Sequence, residues 1–254
     1  MKHFYGWRPD TPDQRDVLYQ AVSPELVPTD LDLRPEQPPI FDQGQLESCT
    51  ANGINARLEA QALEQGEKLN ILSRLFLYYN ERAMEGTVPY DAGASIRDSM
   101  KSVAKQGVCP ELEWPYVISQ FTKKPPTKCY TDALKFRSLN YQSVPQALTA
   151  IKSALATARG IVLGISVYES FESDAVAETG IVPMPGQNEQ MLGGHCVGLV
   201  GFTDHGYPDI PAGYFIGMNS WGKNWGLAGF FALPYQYVVN PNLASDLWVV
   251  KAVS

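Results

Sequence analysis

The hydrophobic pattern of the chain changes period once, and the change divides it into two kinds of structure. From Ser48 onward, Ile54, Leu58 and Ala62 recur every four residues and predict a helix, with Ser48 as its N-cap. Leu72 to Met84 reads as a second helix. Ser95 to Lys105 reads as a third, closed by Gly107. A fourth is expected to open at Ser143-Val144-Pro145-Gln146, with proline tolerated in the first turn, and to stop at Gly160. Beyond that point Ile161–Val167, His195–Phe202, Tyr214–Asn219, Gly229–Leu233 and Asp246–Val253 read as strands. Helices first and strands later indicate an α+β protein with segregated layers. Residues 1–30, rich in proline, aspartate and aromatics, show no sustained period and read as an extended arm.

Composition narrows the picture only in places. A chain of 254 residues is one large domain or two smaller ones sharing an interface. A formal net charge of −7 argues against nucleic acid as a general partner. No apolar run approaches the roughly 20 residues that span a bilayer, so no membrane insertion is expected. Residues 1–10 hold no apolar core of signal-peptide length, which gives the expectation of a cytoplasmic or non-classically exported protein. The three histidines are dispersed, and no Cys-x-x-Cys, phosphate loop or dinucleotide fingerprint occurs. Neither metal nor cofactor is therefore expected.

The candidate chemistry lies in three separated stretches: Gln43-Gly44-Gln45-Leu46-Glu47-Ser48-Cys49, Gly193-Gly194-His195-Cys196 and Asn219-Ser220-Trp221-Gly222. They supply an amide donor, a thiol, an imidazole and a second amide. A thiol attacks poorly at neutral pH without a base, a group that aims the base, and donors where negative charge develops. Cys49 at the start of a helix gains from the positive end of the helix dipole. These motifs resemble those of the papain-like cysteine peptidases of the papain/cathepsin type, from about Asp32 to the C-terminus. The spacing agrees: Gln43 precedes Cys49 by six positions, and 195 − 49 = 146 lies within the roughly 130–150 of that family. Asn219 follows at 219 − 49 = 170, an excess attributed to a longer surface turn over Thr203–Gly213.

The resemblance implies a two-lobed fold. A helical lobe would cover about 45–135 and an antiparallel, β-barrel-like lobe about 136–254, with the active site in the cleft between them. It implies Cys49 as nucleophile, His195 as general base, Asn219 to orient the imidazole, Gln43 as oxyanion donor, and Trp221 shielding the Asn–His hydrogen bond. Rough alignment places Ile165 and Cys196 in the wall of the main specificity pocket, with Gly93 and Ala94 along the opposite rim. Ile165 would narrow that pocket and favour medium aliphatic side chains. The local signature departs from the family: Leu46 stands where a disulfide cysteine is usual, Glu47 where glycine is, and Thr50 where an aromatic is. Glu47 either attracts a basic substrate side chain or points into water. Cys109 and Cys129 flank Trp114-Pro115-Tyr116, and a disulfide between them is left open. Expected partners are peptide or protein substrates. The arm, with Phe4, Tyr5 and Trp7, is either an intramolecular inhibitor covering the cleft or a tail packed behind the domain. A catalytically silent papain-fold binding protein and a thiol-dependent acyltransferase are the alternative functions.

Overall fold

The computed structural model describes residues 3–137 and 140–252. Among these, seven α-helices and seven strands occur. The helices are α1 Cys49–Glu64, α2 Arg74–Glu85, α3 Ile96–Gln106, α4 Thr127–Ala133, α5 Leu148–Ala158, α6 Asp174–Thr179 and α7 Tyr235–Val239. The strands are β1 Asp30–Asp32, β2 Asn140–Ser143, β3 Ile161–Tyr168, β4 Met191–Thr203, β5 Tyr214–Met218, β6 Phe230–Pro234 and β7 Ala244–Ala252. All strand pairs are antiparallel, in the order β2-β7-β3-β4-β5-β6, and β1 pairs with the far end of β4. Helices and sheet are segregated, as the pattern implied. None of the described helices is long and apolar enough to cross a membrane.

Local chemistry explains the helix starts. Ser73 and Ser95 cap α2 and α3 by accepting from the N–H groups of Phe76 and Asp98. Ser48 stands at the cap position of α1, but its hydroxyl is taken by Tyr116 Oη at 2.5 Å and by Asn52 Nδ2 at 3.1 Å. The fourth expected helix starts five residues late. Ser143 belongs to β2, where its N–H donates to Val17 O and its carbonyl accepts from Tyr19 N. These pairings with the arm keep the Ser143-Val144-Pro145 stretch out of the helix. The last strand begins two residues earlier than expected and is described to Ala252; Val253 lies outside the described residues.

Two large cores result. The helical one contains Ile54, Leu58, Phe76, Tyr78, Met100 and Val103. The one formed by the sheet and α5 contains Ile151, Leu155, Leu163, Phe202, Phe215 and Phe231. Val162, Cys196 and Trp248 of the sheet lie on its other face and join the helical core, so α1 is clamped against β3, β4 and β7. This seam holds both ends of the candidate chemistry. The arm is anchored to it as well: Tyr19 is 3% exposed, and its hydroxyl meets Ser153 at 2.9 Å and Thr157 at 2.7 Å.

Candidate active site

Cys49 is the first residue of α1 and is buried. Backbone N–H groups of Cys196, Gly6 and Thr50 lie near enough to its sulfur to favour the thiolate. His195, on β4, is also buried, and its Nε2 lies 2.8 Å from Oδ1 of Asn219, just past β5. That amide is held in place, since Oδ1 also accepts from Ser220 N at 2.8 Å. An amide oxygen can only accept, so Nε2 carries the imidazole proton and Nδ1 keeps the lone pair. Nδ1 has no hydrogen-bond partner among the described residues, leaving it free to take a proton. The Trp221 ring stacks on His195 at 4.8 Å and 21°, excluding water from the His–Asn contact.

Gln43 is fixed at every polar atom. Its backbone N–H donates to Ser220 O, its carbonyl accepts from Tyr116 Oη, and its Oε1 accepts from Ser220 Oγ at 2.6 Å. Its Nε2 donates to Leu46 O at 2.8 Å and to Phe4 O at 3.2 Å. The second acceptor belongs to the arm. Residues 3–8 run through the cleft: Trp7 N donates to Gly194 O, Gly6 O accepts from Ala94 N, and Arg8 N donates to Ala94 O. On the other side of Cys49, His3 stacks on Trp221 at 3.8 Å, and Glu172 binds both the His3 ring and the Tyr5 hydroxyl. Gly6 is the residue the crossing requires: a Cβ there would lie 1.8 Å from Glu47 O, and a Cβ at Gly93 would lie 1.8 Å from Gly6 O. No side chain fits between two backbones that close.

Beneath this cover the two reacting groups are uncharged. Burial pushes the Cys49 thiol up to about 12, against the smaller pull of its N–H donors. Burial pushes His195 down to about 4, opposed by the Asn219 hydrogen bond. The helix terminus, which by sequence favours a thiolate, is outweighed while the arm excludes water.

The pocket beside the cleft differs from the sequence expectation. It is filled by the Trp7 indole, whose Nε1 donates to Asp246 Oδ2 at 3.0 Å. Its wall is Gly164, where a Cβ would lie 1.9 Å from Trp7 Cε2. Ile165 does not line it. Side chains alternate across a strand, so Ile165 points to the opposite face of β3 and packs in the sheet core. Cys196, the register partner of Gly164, shares the pocket face, with its sulfur near Gly53. Gly93 and Ala94 form the opposite rim, where the arm is bonded.

The signature departures also find physical partners. Leu46 is buried and packs in the helical core. Thr50 donates to Glu81 Oε1 at 2.7 Å, and Ser99 binds the other oxygen, satisfying a carboxyl that burial raises to about 7. Glu47 is half-buried, and burial and the neighbouring Asp91 push its carboxyl up to about 7. Cys109 and Cys129 are free thiols, not a disulfide. Asp246, Gly164 and Glu81 were missed by sequence reasoning. A signal for Asp246 existed, as an acid directly ahead of the apolar run Leu247-Trp248-Val249-Val250.

A cysteine, a histidine and an asparagine arranged between a helix terminus and a sheet define the papain class of thiol hydrolases. The family model for the papain family cysteine protease matches residues 27–247, and the chain belongs to that family. It is 38% identical to an uncharacterized peptidase C1-like protein of Acanthamoeba polyphaga mimivirus, over 98% of this chain and 87% of the relative. It is 28% identical to mouse cathepsin R over 77% of this chain and 56% of that protein. Among solved structures it resembles xylellain, a cysteine protease from Xylella fastidiosa, with a TM-score of 0.92 and 37% identity. The match covers 100% of this chain and 99% of xylellain. The protein is a papain-like cysteine peptidase.

Proposed function

We propose that the chain is a cysteine endopeptidase, acting through a thiol acyl-enzyme and held latent by its own arm. His195 Nδ1 takes the proton of Cys49 Sγ, and the sulfur attacks the scissile carbonyl carbon. The carbonyl oxygen becomes an anion held by Gln43 Nε2 and the Cys49 backbone N–H. Protonated His195 gives its proton to the leaving amine. Water then attacks the thioester, His195 takes the proton of that water, and the acid leaves with the thiol restored. The arm occupies cleft on both sides of Cys49, which supports cleavage within a chain rather than at its end.

The observation that carries the latency reading is the hydrogen bond from Gln43 Nε2 to Phe4 O, since it fills the anion position. Once the arm leaves, the Gly164 pocket accommodates an aromatic side chain, with Asp246 at its end to accept from an N–H.

Labelling with an epoxide inhibitor of papain-like peptidases, read by intact mass, tests the reading. Deletion of residues 1–9 is the informative truncation, because it spares Val17 and Tyr19, which pair with β2, and the Tyr19 ring, which enters the core. Rapid labelling of the truncated enzyme, slow labelling of the full chain and none in Cys49→Ala are expected. Trp7→Ala should mimic truncation, since losing a buried indole costs about 3–5 kcal/mol. Equal labelling of full-length and truncated protein would refute latency.

A further inference from the structure

Two of the buried thiols have no part in the peptidase chemistry. Cys109 leaves α3 and sits beside the start of α2, where its carbonyl accepts from Ser73 N at 2.8 Å. Cys129 lies on α4 and is 1% exposed. Glu113 lies in the turn between them. One oxygen of its carboxylate and the two sulfurs all fall within 4.8 Å of one another. Glu113 Oε1 meets Lys128 Nζ at 2.6 Å, while Oε2 is buried with no hydrogen-bond partner among the described residues.

A buried carboxylate oxygen left without a partner calls for an explanation, and an ion is one of the few available. A disulfide would consume the thiols and leave that oxygen unpartnered. A divalent cation would serve all three groups at once. Two thiolates, one carboxylate and a divalent ion sum to −1, and Lys128 supplies the balancing charge. Two sulfurs with one oxygen suit zinc, whose ligands stand about 2.0–2.3 Å from the metal, so that neighbouring donors come within about 4 Å. We propose that Cys109, Cys129 and Glu113 bind one zinc ion, with solvent in the fourth position. Binding releases two thiol protons to solvent and changes no oxidation state.

Such a site ties the end of α3, the Pro110–Trp114 turn and α4 into one unit. That unit borders the catalytic seam. Glu111 Oε1 accepts from Tyr116 N, and the Tyr116 hydroxyl donates to Gln43 O. Without paired ligands in sequence, the site exists only in the fold, which is why the chain gives no metal signature when read linearly.

The full chain, purified reduced from zinc-supplemented medium, should hold about one equivalent of zinc by elemental mass spectrometry. Cobalt(II) added after chelation should give a thiolate charge-transfer band, unchanged in Cys49→Ala. Cys129→Ser should abolish the band. Glu113→Gln, which preserves shape if the serine variant fails to fold, should weaken cobalt binding by at least the roughly 10-fold that losing an outer-shell partner costs. Absence of both zinc and the band in the reduced wild-type chain would overturn the proposal. So would a band that survives in folded Cys129→Ser, or recovery of Cys109 and Cys129 as a disulfide-linked peptide that binds no metal after reduction.

Discussion

At the scale of single residues, the catalytic set is readable because each member carries a fixed offset or a rare neighbour. Gln43 stands six before Cys49, His195 follows two glycines, and Asn219 precedes Ser-Trp-Gly. The specificity pocket is not readable this way. β3 is buried on both faces from Ile161 to Val167, so its apolar run shows no alternation, and the parity of Gly164 and Ile165 appears only once the register is known. Parity decides the chemistry, because the glycine deepens the pocket that the isoleucine would have closed. Gly164→Val, in enzyme lacking residues 1–9, should lower kcat/KM for substrates with Phe or Trp in that pocket by about 10- to 200-fold relative to Val. A profile of kcat/KM over a small peptide series checks this. An unchanged ranking would return the pocket wall to another residue.

At the scale of elements, α1 shows how a substitution near the nucleophile is absorbed. Thr50 stands where the family usually has an aromatic, and beneath the helix its hydroxyl donates to Glu81, which is buried and also bonded by Ser99. Sequence reasoning places the helix but not the acid, since Glu81 looks like any polar residue on the second helix until α1 and α3 close over it. Removing one donor leaves a buried carboxyl oxygen unpaired. Thr50→Val should therefore destabilise the fold by about 1–3 kcal/mol, seen as a lower urea midpoint with an unchanged slope. An unaltered midpoint would mean that Ser99 alone suffices. The late start of α5 has a similar origin. Capping signals at Ser143 are locally sound, but backbone pairing with Val17 and Tyr19 of the arm overrides them. Long-range strand pairing leaves no local trace.

At the scale of the whole molecule, the arm joins the two lobes: Gly6 and Arg8 bond Ala94 on one side of the cleft, and Trp7 bonds Gly194 on the other. Its charged anchor is Asp10, whose carboxylate accepts from Arg97 N and Trp248 Nε1, while its own N–H donates to Asp246 Oδ2. Burial first, then the neighbouring Asp246, raise Asp10 from its ordinary 3.8 to about 6, against the smaller opposing pull of Arg97. Docking thus favours the protonated acid. Its contribution is complete below about pH 4 and is lost as pH rises through about 6, an effect of at most about a hundredfold in affinity. His195 acts in the opposite sense, because the covered imidazole must stay neutral and docking loses strength as pH falls from 6.5 towards 4. The two slopes cancel in the intact chain, so the Asp10 contribution must be isolated by difference. A synthetic peptide of residues 1–16 and its Asp10→Asn form, titrated into Cys49→Ala enzyme lacking those residues, share the same His195. Lost hydrogen bonds in the asparagine peptide give an offset that does not vary with pH. The ratio of the two dissociation constants should move in favour of the asparagine peptide between pH 4 and 6 and stay level above. A ratio constant across that range would show that Asp10 remains ionised when docked, leaving His195 to set the arm's response to acid.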